Sequence, residues 1–430
     1  MHRTRIAPRF LASSALSLLG NSIAGIALPL VLLATTGDVM AAGSLALICA
    51  IPQMVIGVLG GAALDRFNRR DISIVSDLVS ALSVALIPLV DMLWGLNFWW
   101  FVALGLLGAV GDVPGMTARD ALLPAVTKRD GSDLQRFMGL SQSLDSLTTI
   151  VGPALAALFI GAVGGVPSLW FTAALSFSAA LVTATVPRAV GATGAEAGAA
   201  PARALVGSAL DALRTGTRVL FRSDGVLRVS VLLVLGIAMI MGSFQGLVLP
   251  VHFTALDRPE LLGYVLSAMS AGLLISSLAY AALAPRLARR TWYVISLAGM
   301  AVGLGVLGAL PAYPVMLLAA LVFGASAGPA SALLGFFALD RIPEQARGSA
   351  LGTENSLLLA AAPAAVFATA AAVNALGVQT AAFALVACWL VVTALALGAK
   401  SMRALDDAFD HAPAPAKPAA AGRKGDVSPQ

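Results

Sequence analysis

Apolar runs of about twenty residues recur from one end of this chain to the other, each long enough to cross roughly 30 Å of hydrocarbon as a helix. A backbone in lipid must satisfy its own hydrogen bonds, which leaves a bundle of helices as the architecture open to such a pattern. The composition agrees: of 430 residues 59% are hydrophobic and 11% charged, with mean hydropathy +0.90. The runs read as twelve spans: Phe10 to Ala34, Met40 to Leu64, Ile72 to Leu93, Phe98 to Ala118, Phe137 to Gly161, Ser168 to Val186, Leu227 to Leu249, Leu261 to Ala284, Trp292 to Leu310, Tyr313 to Ala338, Ser349 to Val373, and Val378 to Ala399. The fold class expected is all-α and integral to a membrane.

Lys and Arg set orientation, because anionic lipid and the insertion machinery retain them on the cytoplasmic side. With the N-terminus inside, 26 of the 27 fall on that side and Arg258 alone lies outside. Both termini are therefore expected in the cytoplasm. The net charge of +5 is accounted for by topology and carries no nucleic-acid signal. The first span is too long for the apolar region of a signal peptide and is expected to remain in the protein. Cys49 and Cys388 lie within spans, have no metal or disulfide spacing, and read as packing residues.

A segment rich in Gly, Ala and Pro divides the spans six and six. Four regions result: an N-terminal bundle over 1–186, a cytoplasmic linker over 187–226, a C-terminal bundle over 227–400 and a disordered tail over 401–430. Within the linker, residues 205–222 place Leu210, Leu213, Val219 and Leu220 at near-helical spacing between arginines, as an interfacial helix would. An internal repeat supports the division. Arg66, Arg69 and Arg70 return as Arg286, Arg289 and Arg290, while Gly152-Pro153 and Asp145 correspond to Ala362-Pro363 and Asn355.

The turn GGAALDRFNRRD, Gly60 to Asp71, resembles the signature turn of the major facilitator superfamily, with Gly61, Asp65, Arg66, Arg69 and Arg70 at the matching positions. Asn68 stands where that family usually has Gly, and Asn tolerates a left-handed backbone better than most residues. GDVPGMTARDALLPAV (Gly111 to Val126) and IVGPALAAL (Ile150 to Leu158) resemble the branch that exports drugs, macrolides and siderophores. Of that branch's longer glycine pattern in the fifth span only the packing motif Gly152-Pro153 remains, with Thr148, Ala156 and Ala157 elsewhere.

The resemblance implies twelve helices in two bundles, and a cytoplasmic gate in which Asp65 meets the N-terminus of the eleventh span and Arg119. Asp77 and Glu354, about one and a half turns from the cytoplasmic side, read as gating partners of nearby arginines. Asp112, seven residues before Arg119 on one helical face, reads as an internal pair.

Coupling to an ion requires a group that changes charge within the membrane. Asp145 lies about 9 residues into the fifth span, roughly 14 Å deep, where an aspartate is costly unless it is paired or wet. It is the main candidate for carrying a proton, with Glu354 second; the alternative for Asp145 is packing beside Ser141 and Ser146. The substrate cavity is expected to draw on Asn21, Gln53, Asp145 and Asn355, with Phe244 and Gln245 near its outer mouth. Amides in such places also serve as glue between helices.

The function expected is secondary active export of small lipophilic or amphipathic molecules by alternating access, driven by the proton gradient with no cofactor or metal. An importer or lipid translocator of the same fold is the alternative transporter, and a non-transporting sensor or scaffold the alternative of another class. The four lysines form no phosphate-binding loop and the three histidines no helical zinc pair. GAVGD at Gly108 to Asp112 lacks the spacing of an intramembrane aspartyl protease. Enzyme readings are thereby disfavoured. The partners expected are a small molecule and the bilayer, with the chain acting as a monomer. Its 23 Arg against 4 Lys suit a GC-rich bacterium and hence a cell inner membrane.

Overall fold

The computed structural model describes residues 6–66, 68–131, 134–192, 213–283, 286, 288–342 and 347–399, and gives the backbone alone at 54–66, 134–136, 138–139, 142, 281–282, 338–340 and 347–349. Within these residues the chain forms twelve long helices: α1 (Ala7–Thr36), α2 (Val39–Arg66), α3 (Arg69–Trp94), α4 (Phe98–Asp130), α5 (Leu134–Val163), α6 (Gly165–Ala184), α7 (Gly225–Ala255), α8 (Leu261–Leu283), α9 (Arg289–Gly308), α10 (Tyr313–Arg341), α11 (Arg347–Leu376) and α12 (Val378–Gly398). Eleven carry described stretches long and apolar enough to span a membrane, and α2 is apolar over Val39–Gln53.

Local chemistry sets the ends. Asn97 accepts from the amides of Trp99 and Trp100 to start α4, and Asp224 accepts from Val226 to start α7. Gly37 and Gly131 close α1 and α4 in the left-handed conformation, at φ 63° and 68°. Asn68 caps α3 by accepting from the amide of Arg70 at 3.1 Å, with φ −63° and ψ 118°. This corrects the expectation of a left-handed backbone there: the side-chain cap, rather than freedom in φ, is what Asn supplies.

The fourth helix runs past Ala118, where the fourth span was expected to end. Helix α4 continues to Asp130, whose carboxylate accepts from the amides of Ile6 and Ala7 and so anchors the start of α1. A helical stretch over 213–222 stands within the expected interfacial segment, while 193–212 and the tail over 400–430 lie outside the described residues.

Helices α1, α3, α4, α5 and α6 pack on one another, as do α8, α9, α10 and α12. Helix α2 joins the first group through α4 and α11 joins the second through α7 and α12, and the two groups meet where α2 lies on α11 and α8 lies on α5. Large apolar side chains such as Ile275, Leu278, Phe383 and Leu395 face outward, a surface that hydrocarbon suits and water does not. Trp94 and Trp100 stack at 6.2 Å beside the turn from α3 to α4, where an interfacial aromatic anchor belongs.

Candidate functional site

Two adjoining cavities of about 520 and 550 Å³ lie between the helix groups and share Asn21, Gly25 and Gly246. The first is walled by α1, α2, α3 and α4, with Gly246 and Val366 from the other half; the second lies mainly against α7, α8 and α10. Both are predominantly apolar. Asn21, Cys49, Gln53, Ser80, Ser83 and Asp112 provide polar atoms in the first, and Ser22, Thr149, Gln245 and Ser270 in the second.

On α1 the positions Ser17, Asn21 and Gly25 share one face at four-residue spacing. Ser17 reaches a buried ion pair, and the next two positions reach the cavity. That pair joins Arg119 of α4 to Asp77 of α3, with Ser17 Oγ donating to Asp77 Oδ1 at 2.9 Å. Next to Asp77 on α3, Ser76 Oγ donates to the Gly111 carbonyl, which holds α3 tightly against α4.

The turn between α2 and α3 forms a second polar cluster. Arg69 Nη1 donates to the Ala121 carbonyl at 3.1 Å, and Arg70 bonds both Asp71 and the Ala184 carbonyl. Arg188 donates to the other Asp71 oxygen at 2.8 Å, and Asn68 Nδ2 to the Arg188 carbonyl at 2.9 Å. The arginines thus stitch α3, α4 and α6 together. Gly61, Asp65 and Arg66 fall on the last turns of α2, whose side chains lie outside those described. The expected meeting of Asp65 with Arg119 lies outside them too; the described partner of Arg119 is Asp77.

Asn21 and Gln53 line the first cavity and Gln245 the second, where its amide approaches the sulfurs of Met241 and Met269 at 3.9 Å. Phe244 does not line either: it is buried in the apolar core at the start of a π turn over Phe244–Val248, so the adjacent Gln245 takes the cavity face instead. Asn355 is exposed on α11 and lines neither cavity. Asp145 lines neither as well. It lies one turn before the cavity residue Thr149, whose hydroxyl donates to the Asp145 carbonyl at 2.8 Å, and its charge acts on Asp120 of α4. Glu354 faces a smaller space beside Val234, Ile237 and Ser331.

Asp112 is the main correction. Its helical spacing from Arg119 suggested a pair, but the ion pair of Arg119 is with Asp77; Arg119 reaches Asp112 only through its field, and Asp112 lines the first cavity with Ser80 as its hydrogen-bond neighbour. Cys49, read as a packing residue, lines the same cavity. The cap that Asp130 places on α1, and the position of Asp120 within reach of the charges of Asp145 and Arg119, were not assigned from the sequence.

The two cavities end where the halves clasp. Gly43 of α2 lies against Phe367 and Ala370 of α11, and Gly263 of α8 against Pro153 and Ala157 of α5; a Cβ at either glycine would collide. Ser267 Oγ adds a bond to the Ile150 carbonyl at 2.7 Å. Gly152 seats against Ser22 of α1, so the Gly152-Pro153 step touches both halves.

Residues 10–257 match the family model described as Major Facilitator Superfamily. The chain is 30% identical over 390 residues to the multidrug efflux pump Tap of Mycolicibacterium fortuitum, covering 90% of this chain and 94% of that protein. It is 30% identical over 147 residues to macrolide efflux protein A of Streptococcus pyogenes, covering 34% and 36% of the two. Among solved structures, that of the nucleoside transporter NupG superposes with a TM-score of 0.72 at 13% identity, covering 92% of this chain and 99% of that one.

Proposed function

The chain belongs to the major facilitator superfamily, and from that premise we propose that it exports small lipophilic or amphipathic molecules across a bacterial inner membrane in exchange for protons. As a member of the family it is a multi-pass secondary transporter and not an enzyme. The observation that carries the export reading is the predominantly apolar central space, which draws its walls from both halves and ends at the clasp of α2 on α11 and α8 on α5. Such a space suits a molecule that partitions from lipid, and rocking the halves about it would alternate access. The efflux pumps named among its relatives support the outward direction.

Under this reading both termini are cytoplasmic, the clasped end faces outward and the cavity is reached from inside. The chain works as a monomer, since each of its own halves supplies part of the cavity wall. The proton gradient supplies the energy without a bound cofactor. Asp145 is proposed to carry the proton; its charge reaches Asp120, and protonation of Asp145 relieves that repulsion. Glu354 remains the second position proposed for this role.

Proteoliposomes containing the full chain test the proposal. An imposed pH gradient is expected to drive accumulation of members of a dye and antibiotic panel against their concentration gradients. Flux that is indifferent to the gradient across the whole panel would remove proton exchange from the mechanism.

A further inference from the structure

The central cavities contain one ionisable carboxylate and, among their described lining residues, no Lys, Arg or His: that carboxylate is Asp112. We propose that Asp112 is the specificity-determining residue of the transporter, a fixed counter-charge that selects monovalent lipophilic cations over neutral or anionic molecules of the same shape. This deepens the export reading and rests on it.

Three observations carry the inference. The first is how the neighbouring charge is arranged. Asp77 and Arg119 are held against each other, so the two charges that reach Asp112 are of opposite sign and already paired, whereas Asp112 itself has neutral Ser80 as its hydrogen-bond neighbour and lines the cavity. A membrane-embedded carboxylate without an ion-pair partner of its own favours a cationic ligand or a proton, because either removes the cost of an isolated charge in low dielectric.

The second is the shape of α4 around the acid. Gly105, Gly108, Asp112 and Met116 follow one face of that helix into the cavity. Gly105 admits Cys49 and Gly108 admits Ser83 at close approach, so the two glycines let α2 and α3 close on α4 along the face that carries the carboxylate into the cavity.

The third is what the rest of the wall offers. Leu28, Leu32, Leu45, Ile87 and Phe101 line the same cavity with hydrocarbon, while Asn21 and Gln53 add neutral dipoles. A cation with apolar substituents meets all of these surfaces at once. An anion meets a like charge in a poorly screened space, because Arg119, the base whose field reaches Asp112, is already bound to Asp77.

Tetraphenylphosphonium and tetraphenylborate share a shape and differ in the sign of their charge, so their binding to the purified full chain isolates this selectivity. Wild-type protein is expected to favour the phosphonium by about tenfold or more, D112E to keep that preference, and D112N to bring the ratio towards one. Phosphonium is also expected to slow alkylation of Cys49 in a Cys388→Ser background, which places the ligand in this cavity even if D112N fails to fold. Equal affinities in wild type, preference for the borate, an unchanged ratio in D112N, or unprotected Cys49 would each overturn the proposal. Energised export of a drug panel separates the two readings. Export of neutral and cationic compounds alike, with D112N discriminating as wild type does, overturns the role of Asp112 and keeps the exporter. Phosphonium binding through Asp112 without export of any compound keeps the site and removes the exporter.

Discussion

Arg119 on α4 and Asp77 on α3 form an ion pair whose side chains are only 10% and 4% exposed, and Ser17 on α1 donates to the same Asp77 oxygen. Three helices of the N-terminal half therefore converge on one carboxylate. Removing either charge leaves the other buried and uncompensated, which costs about 3–5 kcal/mol in proteins generally. D77N and R119Q are each expected to lower the thermal unfolding temperature of the purified chain in detergent, and the double variant to recover part of that loss. Simple addition of the two losses would show that the charges do not act as a pair.

How far this arrangement was legible in the sequence depends on what each residue answers to. Hydropathy reports directly on lipid, so the twelve helices follow from the sequence. Asp77 was identified as the partner of a nearby arginine, but the choice of Arg119 depends on the antiparallel register of α3 and α4, set by contacts such as Ser76 with Gly111. Asp112 was misassigned for the same reason. Spacing along one helix suggested Arg119, and a residue on the adjacent helix took it. Phe244 and Gln245 were treated alike because a sequence does not announce a π turn. The available signal for the cavity was the face of α4 formed by Gly105, Gly108 and Asp112, where small residues lead to an acid.

Asp145 lies one turn away from the cavity residue Thr149 rather than in the cavity, so its replacement need not remove the substrate. If it carries the proton, D145N is expected to abolish accumulation driven by a pH gradient while retaining exchange of labelled for unlabelled substrate at uniform pH. The two assays can be run on one preparation of proteoliposomes. Gradient-driven accumulation at the wild-type level in D145N would transfer the role to another acid, with Glu354 the next to replace.

Asn68 occupies a position where a glycine would be usual for the family, yet its side chain caps α3 and also donates to the Arg188 carbonyl. Asn68→Ala is therefore expected to destabilise the chain by about 1 kcal/mol, the usual worth of such a cap. Asn68→Asp keeps the acceptor that caps α3 and loses the donor to Arg188, and should fall between the two. Thermal unfolding in detergent ranks them. A stabilised Asn68→Gly would show that backbone freedom, rather than capping, governs the turn.

Gly43 and Gly263 are separated by 220 positions, the interval that also relates Arg66 to Arg286, so they are the same site in the two halves of the repeat. Each packs on the fifth helix of the opposite half, Gly43 against Phe367 and Ala370 and Gly263 against Pro153 and Ala157. Ala157 and Phe367 are themselves repeat equivalents, 210 positions apart as Pro153 and Pro363 are. The clasp is thus built twice, and neither copy has room for a side chain. Because the opposing atoms include backbone, a leucine there is accommodated only if the helices part, at about 1–3 kcal/mol for each site. G43L and G263L are expected to favour the state open at the clasped end, shifting its population by roughly tenfold or more. Cys49 lines the cavity behind the clasp and reports that opening once the exposed Cys388 is replaced by Ser. A membrane-impermeant maleimide added from the side opposite the termini should alkylate Cys49 faster in both variants, and fastest in the double variant. Leucine at Gly305, which faces open space, controls for added bulk and should leave the rate unchanged. Equal labelling rates in the parent and all four variants would mean that these two glycines do not hold the end shut.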